Sequence, residues 1–145
     1  MDRALIDQKL ESLRRCVHRV ETKRPAEAAD LASDLDLQDV ISLNLTRAVQ
    51  LSVDIGAHII AASEVPPPGT MGETFDLLAK QGVIADDLAS RLKKAVGFRN
   101  IAVHNYEAIN WEIVHSIATD HLSEFAAFAR AVVSWLEDSE NGPTP

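Results

Sequence analysis

Residues 37–63 read LQDVISLNLTRAVQLSVDIGAHIIAAS. Wound at about 3.6 residues per turn, this run is apolar over most of its circumference, which predicts a long, central, buried helix. Asp36, just upstream, is its expected N-cap. The polar residues are not scattered. Asn44, Arg47, Asp54 and His58 follow steps of three and four interrupted only by Leu51, with Gln50 beside the line. Buried polar groups cost free energy unless satisfied, so a narrow polar stripe faces a cleft, another such stripe or a strip of solvent. Asp54 and His58, four apart, read as a structural pair.

The flanking segments read as further helices. Ile6, Leu10, Leu13, Val17 and Val20 form a single apolar stripe over residues 2–23, and Pro25 ends it. Residues 26–35 form an Ala/Asp-rich connection with some helical character. Pro66-Pro67-Pro68-Gly69 is a stiff break. Thr70 and Glu73 then make a capping box for a short helix over 71–81, stopped by Gly82. A fourth helix starts near Asp86, with acids in its first turn, buries Leu88, Leu92 and Ala95/Val96, and carries into Arg99. Asn110 caps a fifth, expected to run unbroken to about Asp138 and to bury Val114, Ile117, Phe125, Phe128, Val132 and Trp135/Leu136. The expected fold is all-α: one antiparallel bundle domain of four main helices and a short one over residues 1–138, with a disordered tail over 139–145.

Of the 145 residues, 46 % are hydrophobic and 25 % charged, as in an ordinary soluble domain. The most apolar run, Val53 to Ala62, contains Asp54 and His58 and is too short to span a bilayer. Cys16 is the only cysteine, which excludes an intramolecular disulfide. With no signal-peptide pattern after Met1, a cytoplasmic location is expected, away from membranes. The five histidines form no HExxH and no cysteine cluster accompanies them, so neither a metal nor a cofactor is expected. Cys16 lies on or near the apolar stripe of the first helix and reads as a packing residue. Net charge is −8, unevenly spread: +3 over residues 1–24, −5 over 25–106 and −6 over 107–145. Arg91, Lys93, Lys94 and Arg99 have no acid among them between Leu88 and Tyr106 and read either as a basic patch or as a solvated helix face.

That patch leads into Arg99-Asn100-Ile101-Ala102-Val103-His104-Asn105-Tyr106. A guanidinium can hold a phosphate through two parallel hydrogen bonds, and an imidazole can give or take a proton near neutral pH. Together they suffice to cleave RNA without a metal. Each residue also has a plain structural reading: an arginine paired to an acid, a histidine capping a helix, a tyrosine packed with its hydroxyl at the surface. On a regular helix Arg99 and His104 diverge by about 140°. Either the helix is kinked there, or a second copy of the chain completes the site.

The spacing Arg99-x4-His104-x-Tyr106, with Asn100 after the arginine, resembles the HepT-like toxins of the HEPN superfamily. The run from Asn44 to Gln50, followed by Asp54, is similar to that family's central helix. The resemblance implies a HEPN-type bundle forming a two-fold homodimer whose motif residues share one cleft. It further implies a metal-independent endoribonuclease toxin, leaving 2′,3′-cyclic phosphate ends and requiring no cofactor. In that scheme His104 is the general base or acid, Arg99 neutralises the phosphorane, and Asn100 donates to the same oxygens or orients His104. Arg47, Gln50 and Asp54 support the cleft or the dimer seam. The implied partner is a minimal nucleotidyltransferase (MNT) antitoxin that transfers AMP to Tyr106. The alternative is a non-catalytic bundle that binds nucleotide or substrate as companion of a nucleotidyltransferase.

Overall fold

The computed structural model describes residues 1–141, and among these there are seven α-helices and no strand. They are α1 (Arg3–Lys23), α2 (Ala28–Ala32), α3 (Leu35–Ala61), α4 (Met71–Lys80), α5 (Asp86–His104), α6 (Trp111–Ser116) and α7 (Ser123–Asn141). A 3₁₀ turn, Tyr106–Ala108, follows α5, and a π turn, Ile117–His121, joins α6 to α7. The helix α7 continues three residues past Asp138; residues 142–145 of the expected tail lie outside the described residues.

The central helix is α3, as its apolar circumference predicts. It buries Ile41, Leu45, Ala48, Ile55, Ile59 and Ile60. On one flank lies the stripe of α1, with Ile6, Leu13, Cys16 and Val20 all buried. On the other, Gly56 lets α4 come close: a Cβ there would stand 2.7 Å from Thr74 Cγ2. Phe75 of α4 meets Phe128 of α7 edge-to-face, with ring centroids 6.0 Å apart. Burying each such side chain stabilises by roughly 1.5–3 kcal/mol. The core is thus one layer of helices wrapped round α3, and α5 reaches the motif along its side.

Local chemistry explains the helix ends. Asp34, and not Asp36, caps α3 by accepting from the Leu37 amide. The helix therefore starts two residues early and carries Asp36 in its first turn, where an acid suits the dipole. Thr70 caps α4 through the Glu73 amide, and the Glu73 carboxylate accepts from Gly69 N–H. Gly82 takes a φ of +77° just past α4. Asn110 caps α6 by accepting from the Glu112 and Ile113 amides. The expected unbroken fifth helix is instead two helices. Its π turn widens the coil, and Arg24 donates to the Ala118 carbonyl at 2.7 Å there. His115 Nε2 contacts the Pro25 carbonyl at 2.8 Å. The interruption anchors the segment after α1.

Candidate active site

The helix α5 is unbroken through His104, with Asn105 as its C-cap. No 3₁₀ or π break interrupts it between Arg99 and His104, and regular helix geometry sends the two about 140° apart. Their surroundings differ as well.

Arg99 is half-buried and held on two sides. One terminal nitrogen donates to Gln50 Oε1 of α3 at 3.3 Å, and the other to Asn100 Oδ1 at 3.1 Å. Gln50 passes the support on: its amide donates to Asp54 Oδ1 at 3.0 Å. The other oxygen of Asp54 pairs with Lys9 of α1 at 3.6 Å. A polar relay, one ion pair followed by two hydrogen bonds, thus runs from α1 through α3 to the guanidinium on α5. Arg99 Nε is buried and has no acceptor among the described residues. An unmet buried donor costs about 1–3 kcal/mol, which an anion seated against the guanidinium would offset.

Several expectations change here. Asp54 pairs with Gln50 and Lys9, and no bond to His58 is formed among the described residues. The reason is geometric: Gln50, also four residues away, offers an amide donor already tied to Arg99. Asn100 accepts from Arg99 and thus orients the arginine, not His104. Arg47 is exposed and lines a groove between α1 and α3. The basic patch is partly neutralised, since Arg91 pairs with Asp87 and Lys93 with Asp76 across to α4. Asn44 is buried and bonds back to the Val40 carbonyl of its own helix.

His104 is exposed, and among the described residues it makes no hydrogen bond or ion pair. Two residues on, Tyr106 is 41 % exposed. Its hydroxyl donates to Asp39 Oδ1 of α3 at 2.9 Å and lies 3.5 Å from Ser42 Oγ. Its ring meets Trp111 edge-on at 5.8 Å. Partial burial pushes the phenol above its ordinary range, and the neighbouring Asp39 carboxylate pushes it further the same way. A cleft of about 360 Å³ opens beside it, lined by Asp39, Ser42, Leu43, Thr46, Val103 and Tyr106. Asp39, Ser42, Trp111 and Lys9 were not legible as site residues. Each contacts the motif or its support only across helices, and nothing in local spacing marks them.

Leu43, Ile101 and Val103 around the motif are all 44–49 % exposed. Among the described residues no group of three or more His, Cys, Asp or Glu side chains is placed to hold a metal ion. No helix among them is long and apolar enough to cross a membrane.

An all-helical bundle with an arginine and a histidine in the last turns of α5 and a tyrosine in the turn beyond it is an arrangement of the HEPN class. The family model described as "Ribonuclease HepT-like" matches residues 6–132, and the chain belongs to that family. It is 35 % identical over 124 residues to the mRNA nuclease HepT of Shewanella oneidensis, covering 86 % of this chain and 92 % of that protein. It is 24 % identical over 132 residues to the tRNA nuclease HepT of Aphanizomenon flos-aquae, covering 91 % and 90 % of the two. In structure it resembles the tri-AMPylated Shewanella oneidensis HEPN toxin, solved in complex with its MNT antitoxin. The TM-score is 0.84 at 33 % identity, over 92 % of this chain and 99 % of that one.

Proposed function

We propose that the chain is the toxin of a HEPN/MNT pair and acts as a metal-independent endoribonuclease through Arg99 and His104. The observation that carries this is the Arg99 guanidinium, preset by Gln50 and Asn100 with a buried donor to spare. A rigid cation aimed at developing charge stabilises a phosphorane without reorganising, and losing one such donor costs ~10²–10³ in rate. His104, without a hydrogen-bond or ion-pair partner among the described residues, takes the proton from an RNA 2′-hydroxyl. The 2′-oxygen attacks the adjacent phosphorus and the 5′-oxygen leaves, giving a 2′,3′-cyclic phosphate.

The divergence of Arg99 and His104 supports a two-fold homodimer in which both copies line one cleft. The exposed Leu43, Ile101 and Val103 suit such a seam, because exposed apolar patches of this kind mark interaction sites. The second copy also supplies a second imidazole, so one histidine serves as base and the other as acid. The partly exposed Tyr106 is the site of modification by an MNT antitoxin partner. AMP added to its oxygen abolishes the bond donated to Asp39 and sets a second anion beside that carboxylate. The modified side chain is driven from its seat, and its bulk and charge block the cleft.

The test is cleavage of RNA by the purified chain in EDTA, with the 3′ ends of the products identified. Activity lost on chelation, or products with free 3′-hydroxyls, would overturn the mechanism. Incubation with the MNT partner and ATP, followed by mass spectrometry, tests the modification. Added mass on a residue other than Tyr106 would overturn its assignment.

A further inference from the structure

The cations preceding Arg99 on α5 are not all available to a polyanion. Two of the three basic side chains preceding Arg99 on α5 are paired to acids. A groove of about 680 Å³ between α1 and α3 is different. Its lining includes Arg15 and Arg19 from α1, Arg47 from α3, Cys16, Gln50 and Asp54. Arg15, Arg19 and Arg47 are all exposed, and among the described residues none of them forms an ion pair. Asp54, the one acid in the lining, is already engaged by Gln50 and Lys9. Arg15 and Arg19 stand one helical turn apart, about 6 Å along the axis. Arg47 faces them from the opposite wall. The Cys16 thiol beside Arg15 is pushed up by burial, while Arg47 and Arg15 both act to lower it.

The groove also borders the site. Its far end is formed by Gln50 and Asp54, the pair that supports Arg99. In a chain of net charge −8, a polyanion needs such a local concentration of unpaired cations. Guanidinium groups suit it, because their planar fork binds phosphate oxygens in pairs.

We infer that the α1–α3 groove is a track for the RNA backbone, in which Arg15, Arg19 and Arg47 hold phosphates flanking the one cleaved at Arg99. This rests on the ribonuclease reading above. The contacts are to phosphate, so they position the strand without reading its bases. The track explains how an acidic protein acts on a polyanion: one strand is guided in a narrow channel while the rest of the surface repels it.

The experiment measures binding of a fluorescent single-stranded RNA to the full chain carrying His104→Ala, which prevents cleavage. The same chain is compared with Arg15→Gln/Arg19→Gln added, and separately with Arg47→Gln, across a salt series. The double change is expected to weaken binding about tenfold or more. It should also flatten the dependence of log K on log salt by roughly 1.4, about 0.7 for each phosphate no longer neutralised. With His104 intact, KM should rise while kcat is largely kept. Unchanged affinity and salt slope in both variants overturn the inference while cleavage by the unaltered chain leaves the ribonuclease reading standing. Loss of the dimer with the salt slope intact gives the groove to a second copy of the chain. Loss of MNT binding alone gives it to that protein. Failure of the unaltered chain to cleave or bind RNA removes both readings together.

Discussion

The two halves of the motif sit five residues apart on one helix and live in opposite environments. Arg99 is half-buried, braced by Gln50 and Asn100, and tied through Asp54 to Lys9 of α1. His104 is exposed and touches nothing polar in its own chain among the described residues. On the mechanism proposed above, the difference teaches how the labour is divided. A group that stabilises charge must be fixed beforehand, since reorganising it during the reaction would waste its effect. A group that moves a proton must be reachable, and it can be aligned late, by substrate or by a second protomer.

Changes at each end sharpen this contrast. The largest effect is expected for His104→Ala: a loss of ~10²–10⁴ in cleavage rate with the thermal midpoint unmoved, because an exposed side chain without partners contributes little to stability. A large fall in the midpoint would show that His104 is structural and break the comparison. Next comes Arg99→Lys, expected to slow cleavage by ~10²–10³ in single-turnover assays. An ammonium keeps the charge but cannot span Gln50, Asn100 and a phosphate at once. Near-normal turnover in this variant would mean that charge alone suffices and that the bracing is incidental.

Gln50→Leu tests the brace itself. It leaves Arg99 with its charge but without its acceptor on α3, and frees Asp54 from one donor. A fall of about tenfold in turnover is expected, with a stability change of only about 1 kcal/mol by denaturant titration. Equal loss in the Gln50→Leu and Arg99→Lys variants would show that positioning accounts for the whole contribution of the arginine.

The smallest effect is at Tyr106, and it is a titration. Tyr106 is the only tyrosine, so the phenolate absorbance of the folded chain reports it alone. Burial, with Asp39 behind it, raises its folded pKa. The raised value means that the neutral phenol is favoured by folding. That contribution is present below the ordinary phenol range and is lost as pH rises through the folded value. Asp39→Asn should shift the phenolate midpoint downward, because it removes the carboxylate that opposes ionisation. An unchanged midpoint would show that Asp39 does not govern the hydroxyl.

Much of the fold was legible in local pattern. The α1 stripe, the apolar circumference of α3, the caps at Thr70 and Asn110 and the stop at Gly82 all depend on residues within a turn of one another. The errors are local competitions with a distant referee. Asp34 and Asp36 are both good caps, and α3 starts at the first, where Gln38 turns inward to donate to the Leu31 and Ala32 carbonyls closing α2. The π turn appears where Arg24, 94 residues away in sequence, meets the Ala118 carbonyl. The cations of α5 were left with two readings, patch or solvated face, because Asp76, which pairs with Lys93, lies on α4 across a helix packing.

The chain's own order of residues settles that it forms helices, which faces they bury, and that a guanidinium, an imidazole and a phenol stand in or just past the last turns of α5. Spacing within one helix is enough for that, because helical geometry converts sequence distance directly into direction. Packing alone decided who holds them. Gln50 and Arg99 are separated by 49 residues, Asp39 and Tyr106 by 67, and both meetings arise because α3 and α5 bury apolar faces against a common core. The same packing set Arg15 and Arg19 opposite Arg47. Hydrophobic burial has no direction of its own, and it is the polar groups carried along with it that the tertiary structure sorts into a braced arginine, a bare histidine and a seated tyrosine.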